Sequence, residues 1–140
     1  MKKVLTIAGS DCSGGAGIQA DLKTMSAHGV FAMSVIVSVV AENTARVISI
    51  EDISPKVIED QMDAVFEDIF PDAVKVGMLS TPPCMQAVAR KLLQYQPRHV
   101  VIDPVMYAKN GAPLMNPDAV GTLIECILPL ATVLTPNIPE

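Results

Sequence analysis

Residues 5–24 read LTIAGSDCSGGAGIQADLKT, and this stretch decides the fold. It begins as part of a short apolar strand (residues 4–8), continues as a loop with four glycines, and predicts a helix from about Gly15. A strand, a glycine-rich loop and a helix N-terminus bring several backbone N–H groups to one place, and the helix dipole adds to them. The loop therefore fits either a polar or anionic ligand or simply a tight turn.

Two well-known phosphate-binding loops do not match this stretch. A P-loop needs Lys followed by Ser or Thr after its last glycine, and here Ile18 and Gln19 follow Gly17. The dinucleotide-binding fingerprint needs a glycine three residues beyond its second glycine, and neither Gly15 nor Gly17 has one at that distance. A nicotinamide-dependent dehydrogenase is therefore a remote alternative.

Asp21 is the first candidate site residue. On the predicted helix it shares the apolar face of Ile18 and Met25, three residues after one and four before the other. A carboxylate on a core-facing stripe is costly unless it is paired or meets a ligand. The alternative is an acidic residue near the helix start that complements the helix dipole. Its depth in the helix favours a functional role.

Composition indicates one α/β domain. The chain has 140 residues, of which 50% are hydrophobic and 18% charged, as expected for a buried sheet and not for a disordered segment. The net charge of −5 argues against nucleic-acid binding. No apolar run is long enough for a membrane span, no signal peptide is recognisable, and three widely spaced cysteines indicate reduced thiols. These features predict a cytoplasmic protein.

Strands and helices alternate along the chain. A β-branched strand over residues 33–41 is followed by a more exposed strand over residues 46–50. Ser54, Thr81 and Asn116 each precede a proline and predict helix N-termini. Three further strands are predicted over residues 73–76, 99–102 and 132–134. The pattern indicates right-handed βαβ units and a mostly parallel sheet with helices on both faces.

Polar or glycine residues follow five of the predicted strands, and ligands of open α/β sheets bind at the carboxyl ends of strands. Turns alone favour the same residues, so each case is weak when taken singly. Together they predict a site edge. The five strand ends are 9–11, 42–43, 77–78, 103–105 and 136–137.

The segment GSDCSGGAGIQADLKT (residues 9–24) closely resembles the N-terminal signature of the hydroxymethylpyrimidine and phosphomethylpyrimidine kinases of thiamin biosynthesis. These are ribokinase-like enzymes, and bacterial pyridoxine kinases are close relatives. DPVM at 103–106 and TPNIPE at 135–140 continue the resemblance over the whole chain. It implies transfer of a phosphoryl group from ATP, with Mg²⁺, to a hydroxymethylpyrimidine and then to its monophosphate. It also implies a homodimer.

The resemblance carries roles onto particular residues. It implies that a pyrimidine pocket is lined by Gly9, Asp21, Glu42, Met78 and Val105. The side that faces the phosphates and the nucleotide would include Asp103, Lys109 and Asn137, and Glu140 would help to hold Mg²⁺. Simpler interpretations remain for several of these: core packing for Met78 and Val105, a solvated loop lysine for Lys109, a helix cap for Asn137 and a plain chain end for Glu140.

Glu42 departs from the family pattern, which usually has glutamine after the second strand. An ionised carboxylate only accepts hydrogen bonds, whereas an amide both donates and accepts. Glu42 can therefore hold an amine but not a ring nitrogen that needs a donor. The departure keeps a pyridoxine or pyridoxal kinase as the alternative.

The family places its activating residue and its ATP-binding segments in a downstream half. Residues 1–140 are therefore expected to form the N-terminal, substrate-side part of one ribokinase-like domain, with no catalytic residue among them. The expectation is that this part does not turn over alone. A non-catalytic fragment that binds a pyrimidine is the alternative from another functional class.

Overall fold

The structure is a computed structural model, and it describes residues 1–108 and 110–140. Six strands and three regular helices alternate along the chain. The segment at 117–130, here called the composite helix, consists of short 3₁₀, α and π pieces. The regular elements are β1 (Lys3–Asp11), α1 (Gly17–Ala27), β2 (Phe31–Glu42), β3 (Val47–Asp52), α2 (Pro55–Asp68), β4 (Ala73–Val76), α3 (Pro82–Tyr95), β5 (Val100–Ile102) and β6 (Val133–Leu134).

The strands form one sheet in the order β3-β2-β1-β4-β5-β6. All neighbouring pairs are parallel except β2 and β3, which are antiparallel at one edge. The chain moves from β1 to β2 on one side and later returns to place β4 on the other side of β1. Strand order therefore reverses at β1, which is where open α/β sheets form ligand-binding crevices.

The two faces of the sheet are covered by different helices, which confirms the predicted layers. Leu5 and Ile7 of β1 pack with Ile58 of α2 and Met85 of α3 in the main hydrophobic core. The intervening residue Thr6 points to the other face, where its hydroxyl reaches Asp21 of α1. The alternation of side chains along β1 thus separates an apolar face from a face that carries polar groups.

The pairing of β1 with β2 contains one irregularity, a bulge between Ala8 and Gly9. Before it, Ile7 is opposite Val35; after it, Gly9 is opposite Ser38. Ser38 consequently lies on the same face as Val35, although strict alternation would place it on the other. Its buried hydroxyl has no hydrogen-bond partner among the described residues.

The helix starts agree with the sequence in three cases and differ in one. The hydroxyls of Ser54 and Thr81 accept hydrogen bonds from backbone N–H groups in the first turns of α2 and α3, and Asn116 caps the composite helix in the same way. The first helix begins at Gly17 instead of about Gly15, because Gly14 and Gly17 both have positive φ and keep the preceding residues in a loop.

The predicted last helix is irregular, and Pro129, which lacks an N–H group, falls in its final 3₁₀ turn. Across the part of the chain that the structure describes, no helix has the length and apolar character needed to cross a membrane.

Candidate active site

A cavity of about 260 Å³ lies at the carboxyl ends of β1, β2, β4 and β5. Its position is the crevice that the reversal of strand order at β1 predicts. Six of the sequence-predicted site residues line this one cavity: Gly9, Asp21, Glu42, Met78, Asp103 and Val105. Residues separated by up to 96 positions in the chain are thus brought to one place.

Apolar side chains form one part of the cavity wall. Met78 is only 7% exposed, and Val105, Val40 and Leu114 line the same space. Gly9 lies directly beside Met78, because a Cβ added at Gly9 would stand 2.5 Å from the methionine Cε atom. The absence of a side chain at Gly9 therefore gives Met78 the room to reach into the cavity, and the wall can hold a flat apolar ring.

Asp21 is paired from two sides. Its Oδ2 atom accepts a hydrogen bond of 2.6 Å from the hydroxyl of Thr6 and one of 2.7 Å from the ammonium of Lys75. The side chains of Lys75 and Asp21 are 23% and 19% exposed, so the ion pair is largely shielded from water. Asp21 is thus a carboxylate whose charge is compensated at the cavity wall, and its Oδ1 atom has no hydrogen bond to the described residues.

Lys75 is a site residue that was not predicted from the sequence. It lies in the centre of β4 and lines the cavity together with Asp21 and Asp103. The sequence feature that could have identified it is a lysine within the strand AVKV, where it lies between two valines that are buried in the structure. A cation in a short central strand needs a buried partner, but the partner, Asp21, is identified only by the packing of α1 beside the neighbouring strand β1.

Asp11 organises the glycine-rich loop. Its Oδ1 atom accepts hydrogen bonds from the backbone N–H and the hydroxyl of Ser13, at 2.8 and 2.7 Å. Its Oδ2 atom accepts one from the backbone N–H of Ala16, at 2.9 Å. Burial opposes ionisation of Asp11, but the hydrogen bonds from Ser13, Ala16 and Gly15 outweigh it and lower the pKa of this carboxyl.

The loop packs closely against the end of β1. A Cβ at Gly17, whose φ is +57°, would stand 2.3 Å from the carbonyl oxygen of Gly9. The side chain of Gln19 accepts a hydrogen bond from the backbone N–H of Asp11 and donates one to the hydroxyl of Ser10. Glycine at position 17 therefore lets the loop close onto the strand and form the cavity rim.

Glu42 ends β2 and faces the same loop. The Cys12 thiol donates to the backbone carbonyl of Glu42 at 3.1 Å and accepts from its backbone N–H at 3.4 Å. The Glu42 carboxylate receives no hydrogen bond from a donor among the described residues. Burial, followed by the negative charge of nearby Asp11, raises the pKa of Glu42.

The predicted phosphate-side residues lie near the ends of β5 and β6. Burial raises the pKa of Asp103; Lys75 opposes this effect, and the charges of Glu140 and Asp21 add to it. Asn137 and Glu140 form a reciprocal pair, in which each side chain accepts a hydrogen bond of 3.1 Å from the backbone N–H of the other. Lys109, the remaining predicted residue, lies outside the described residues.

A second cavity, of about 280 Å³, adjoins the first beyond Asp11, Glu42 and Val105. A hairpin-like segment borders it, in which Leu114 donates its backbone N–H to Met106 and Tyr107 bridges to Pro113. Leu114 lines both cavities, so the two spaces share a wall.

The residues fit a magnesium ion that uses few protein ligands. Asp103 follows β5 and Glu140 follows β6, the neighbouring strand, and the charge of Glu140 adds to the raised pKa of Asp103. The described residues contain no group of three or more His, Cys, Asp or Glu side chains arranged to hold a metal. Magnesium commonly takes one or two carboxylates and completes its shell with water and phosphate oxygens.

Comparison with known proteins identifies the family. The family described as phosphomethylpyrimidine kinase matches residues 11–140. A hydroxymethylpyrimidine/phosphomethylpyrimidine kinase of Escherichia coli is 51% identical over 142 residues, which cover 100% of this chain and 53% of that protein. The chain therefore spans about half the length of this relative.

Solved structures of known kinases support the same family. A phosphomethylpyrimidine kinase from Clostridium difficile superimposes with a TM-score of 0.94 at 52% identity, and the match covers 100% of this chain and 61% of that one. An ADP complex of Bacillus subtilis pyridoxal kinase gives a TM-score of 0.87 at 40% identity, with 100% and 52% covered. The fold is that of the ribokinase-like kinases, and the chain belongs to the phosphomethylpyrimidine kinase family.

Proposed function

We propose that residues 1–140 form the substrate-side part of a kinase of thiamin biosynthesis. Its reaction is transfer of the terminal phosphoryl group of ATP to the hydroxymethyl group of 4-amino-5-hydroxymethyl-2-methylpyrimidine. A second transfer then phosphorylates the resulting monophosphate. The observation that carries the proposal is the single cavity lined by Gly9, Asp21, Glu42, Met78 and Val105.

The cavity has the chemistry that a substituted aminopyrimidine requires. Met78 and Val105 contact the faces of the ring, and Gly9 leaves the space in which the ring lies against Met78. Asp21 and Glu42 accept hydrogen bonds from the exocyclic amine. Lys75 keeps the Asp21 carboxylate oriented through its 2.7 Å contact.

Asp103, Asn137 and Glu140 form the phosphate side in this proposal. Glu140 helps to hold Mg²⁺, mainly through water, and Lys109 approaches a phosphate. The ion supplies charge neutralisation of the phosphate oxygens, which is the main requirement of phosphoryl transfer. The group that activates the attacking hydroxyl is assigned to no residue of 1–140.

A pyridoxine or pyridoxal kinase is the second candidate, and Glu42 is the residue that favours it. The comparisons favour the pyrimidine, because the two pyrimidine kinases described above are 51% and 52% identical to this chain and the pyridoxal kinase is 40% identical. A non-catalytic pyrimidine-binding protein is the third. We also propose that the protein is a homodimer and acts in the cytoplasm. Sedimentation of the purified protein tests the dimer.

The deciding experiment compares kcat/KM for the aminopyrimidine and for pyridoxine, with ATP and Mg²⁺, using the complete protein that contains residues 1–140. We expect turnover of the aminopyrimidine to be preferred. Asp21→Asn should lower that kcat/KM by at least about tenfold, because it removes a charged hydrogen-bond acceptor. Asp68→Asn, on the exposed end of α2, is the matched control and should change nothing.

Preference for pyridoxine would transfer the assignment to the second candidate. Tight binding of the pyrimidine with no turnover under any condition would favour the binding protein.

A further inference from the structure

The cavity holds more carboxylates than it can neutralise. Four acidic residues line it, and Lys75 is the one cation among its described lining residues. Lys75 is committed to Asp21. The remaining three carboxyl groups, on Asp11, Glu42 and Asp103, have no cationic side chain in hydrogen-bonding contact within the described part of the chain.

Asp11 and Glu42 differ in what surrounds them. Both oxygens of Asp11 accept hydrogen bonds from the loop, so its ionised form is stabilised. Glu42 receives no hydrogen bond from a described donor and faces the fixed charge of Asp11. When two neighbouring carboxyl groups compete for one proton, it goes to the group whose charge is less well solvated. That group is Glu42.

An aminopyrimidine presents an amine donor next to a ring nitrogen that accepts. An ionised carboxylate matches only the amine, because it has no hydrogen to donate. One added proton makes the match complete, whether it resides on Glu42 and is donated to the ring nitrogen or resides on the ring and is donated to Glu42. Both arrangements contain the same number of protons and form two parallel hydrogen bonds.

We propose that Glu42 and a ring nitrogen of the bound aminopyrimidine share one proton, which the complex takes up from solvent on binding. The inference rests on the proposed function and deepens it, since it makes Glu42 the residue that selects an amine-plus-nitrogen edge. Burial and Asp11 already raise the pKa of Glu42 in the free protein, which favours the uptake.

Other titratable groups around Glu42 contribute differently. Asp21 and Lys75 form their own pair on the α1 face, and Asp103 lies at the end of β5. The Cys12 thiol contacts the backbone of Glu42, and Arg46 lies exposed on the turn that follows β2. Tyr107 lies across the adjoining cavity. None of these side chains hydrogen-bonds to the carboxylate of Glu42 in the described part of the chain.

Isothermal titration calorimetry measures the proton uptake directly. The purified protein is titrated with the aminopyrimidine at neutral and alkaline pH, in two buffers of different ionisation enthalpy. We expect about one proton taken up per ligand at high pH, with affinity falling about tenfold per pH unit. Glu42→Gln should bind without uptake and lose this pH dependence, because an amide donates and accepts without a proton from solvent. Glu125→Gln, an exposed residue of the composite helix, is the matched control and should retain the uptake.

The outcomes separate the two proposals. Binding by the native protein with no proton uptake and no pH dependence overturns the inference and leaves the proposed function intact. Absence of binding by both the native protein and Glu42→Gln at every pH overturns both. The native titration does not depend on any variant, so a Glu42→Gln protein that fails to fold leaves the measurement decisive.

Discussion

The two faces of the sheet use the same strands for different purposes. Toward α2 and α3, β1 and β4 present Leu5, Ile7, Val74 and Val76, all at most 1% exposed. Toward α1, the alternate residues of the same two strands include Thr6 and Lys75, which hydrogen-bond to the Asp21 carboxylate. One face supplies the apolar burial that stabilises the domain. The other gives up part of that burial and holds charged groups beside a cavity.

The largest expected effect belongs to the apolar face. Ile58→Ala in α2 removes a fully buried side chain from the core and should lower the free energy of unfolding by about 2–5 kcal/mol. Chemical denaturation measures it. Ile124→Ala, at a side chain that is 56% exposed, should cost far less. Equal losses at both sites would contradict the assignment of the core.

On the α1 face, Lys75→Met should damage both stability and binding. It leaves Asp21 without its cation in a shielded position, which should cost about 1–3 kcal/mol after allowing for partial exposure. The double variant Lys75→Met/Asp21→Asn should recover much of the stability but not the ligand affinity. Denaturation and calorimetry on both variants test this. Recovery of affinity by the double variant would show that the charges are not used for binding.

Gly9→Ala should separate the effect on stability from the effect on ligand binding. Its Cβ meets the end of the flexible Met78 side chain, which can move, so stability should change little. Met78 would then occupy cavity space, and affinity for the pyrimidine should fall about tenfold, which corresponds to about 1.4 kcal/mol. Gly121→Ala, whose added Cβ would point into open space, is the control and should leave affinity unchanged.

The cavity loop should respond to acid through Asp11. Its folded-state pKa lies below the ordinary value of 3.8, so its contribution is present above that value and is lost as the pH falls through the folded-state pKa. Unfolding measured from pH 5 downward should be steeper for the native protein than for Asp11→Asn. Glu42 has a raised pKa and acts in the opposite sense, with its contribution present below its ordinary value of 4.5 and lost as the pH rises through the folded-state pKa. If the stability of the native protein and that of Asp11→Asn depended on pH in the same way, the proposed role of Asp11 would be wrong.

The smallest expected effect is a gain in stability. Ser38→Ala removes a buried hydroxyl without a partner among the described residues and should stabilise the protein by up to about 1 kcal/mol. Thermal denaturation measures the change. A loss of stability would indicate a bound water at this hydroxyl.

Much of the architecture follows from local signals. The strand over residues 73–76 is found as predicted, and Ser54, Thr81 and Asn116 cap the helices that they precede. Apolar runs and proline-marked helix starts depend on neighbouring residues, so a sequence read in order contains them. The predicted strand ends and the position of Asp21 on its helix indicated the six residues that line one cavity, and the resemblance assigned their roles.

The residues that were not found depend on distant contacts. Lys75 has a role because β4 lies beside β1, the strand that α1 covers, and the order of strands is not a local property. Asp11 instead acts locally, through Ser13 and Ala16, in a loop geometry that a count of apolar residues does not predict. The composite helix, whose turns are irregular, also packs against the distant helix α3.

The bulge between Ala8 and Gly9 has a consequence for insertions and deletions. Because it lets Val37 and Ser38 lie on one face, it sets which way Val40 points at the end of β2, where Val40 lines the cavity. A point substitution changes one side chain, but removal of one residue from this strand would reverse the faces of all the residues after it. The length of β2 is thus a determinant of the cavity in its own right.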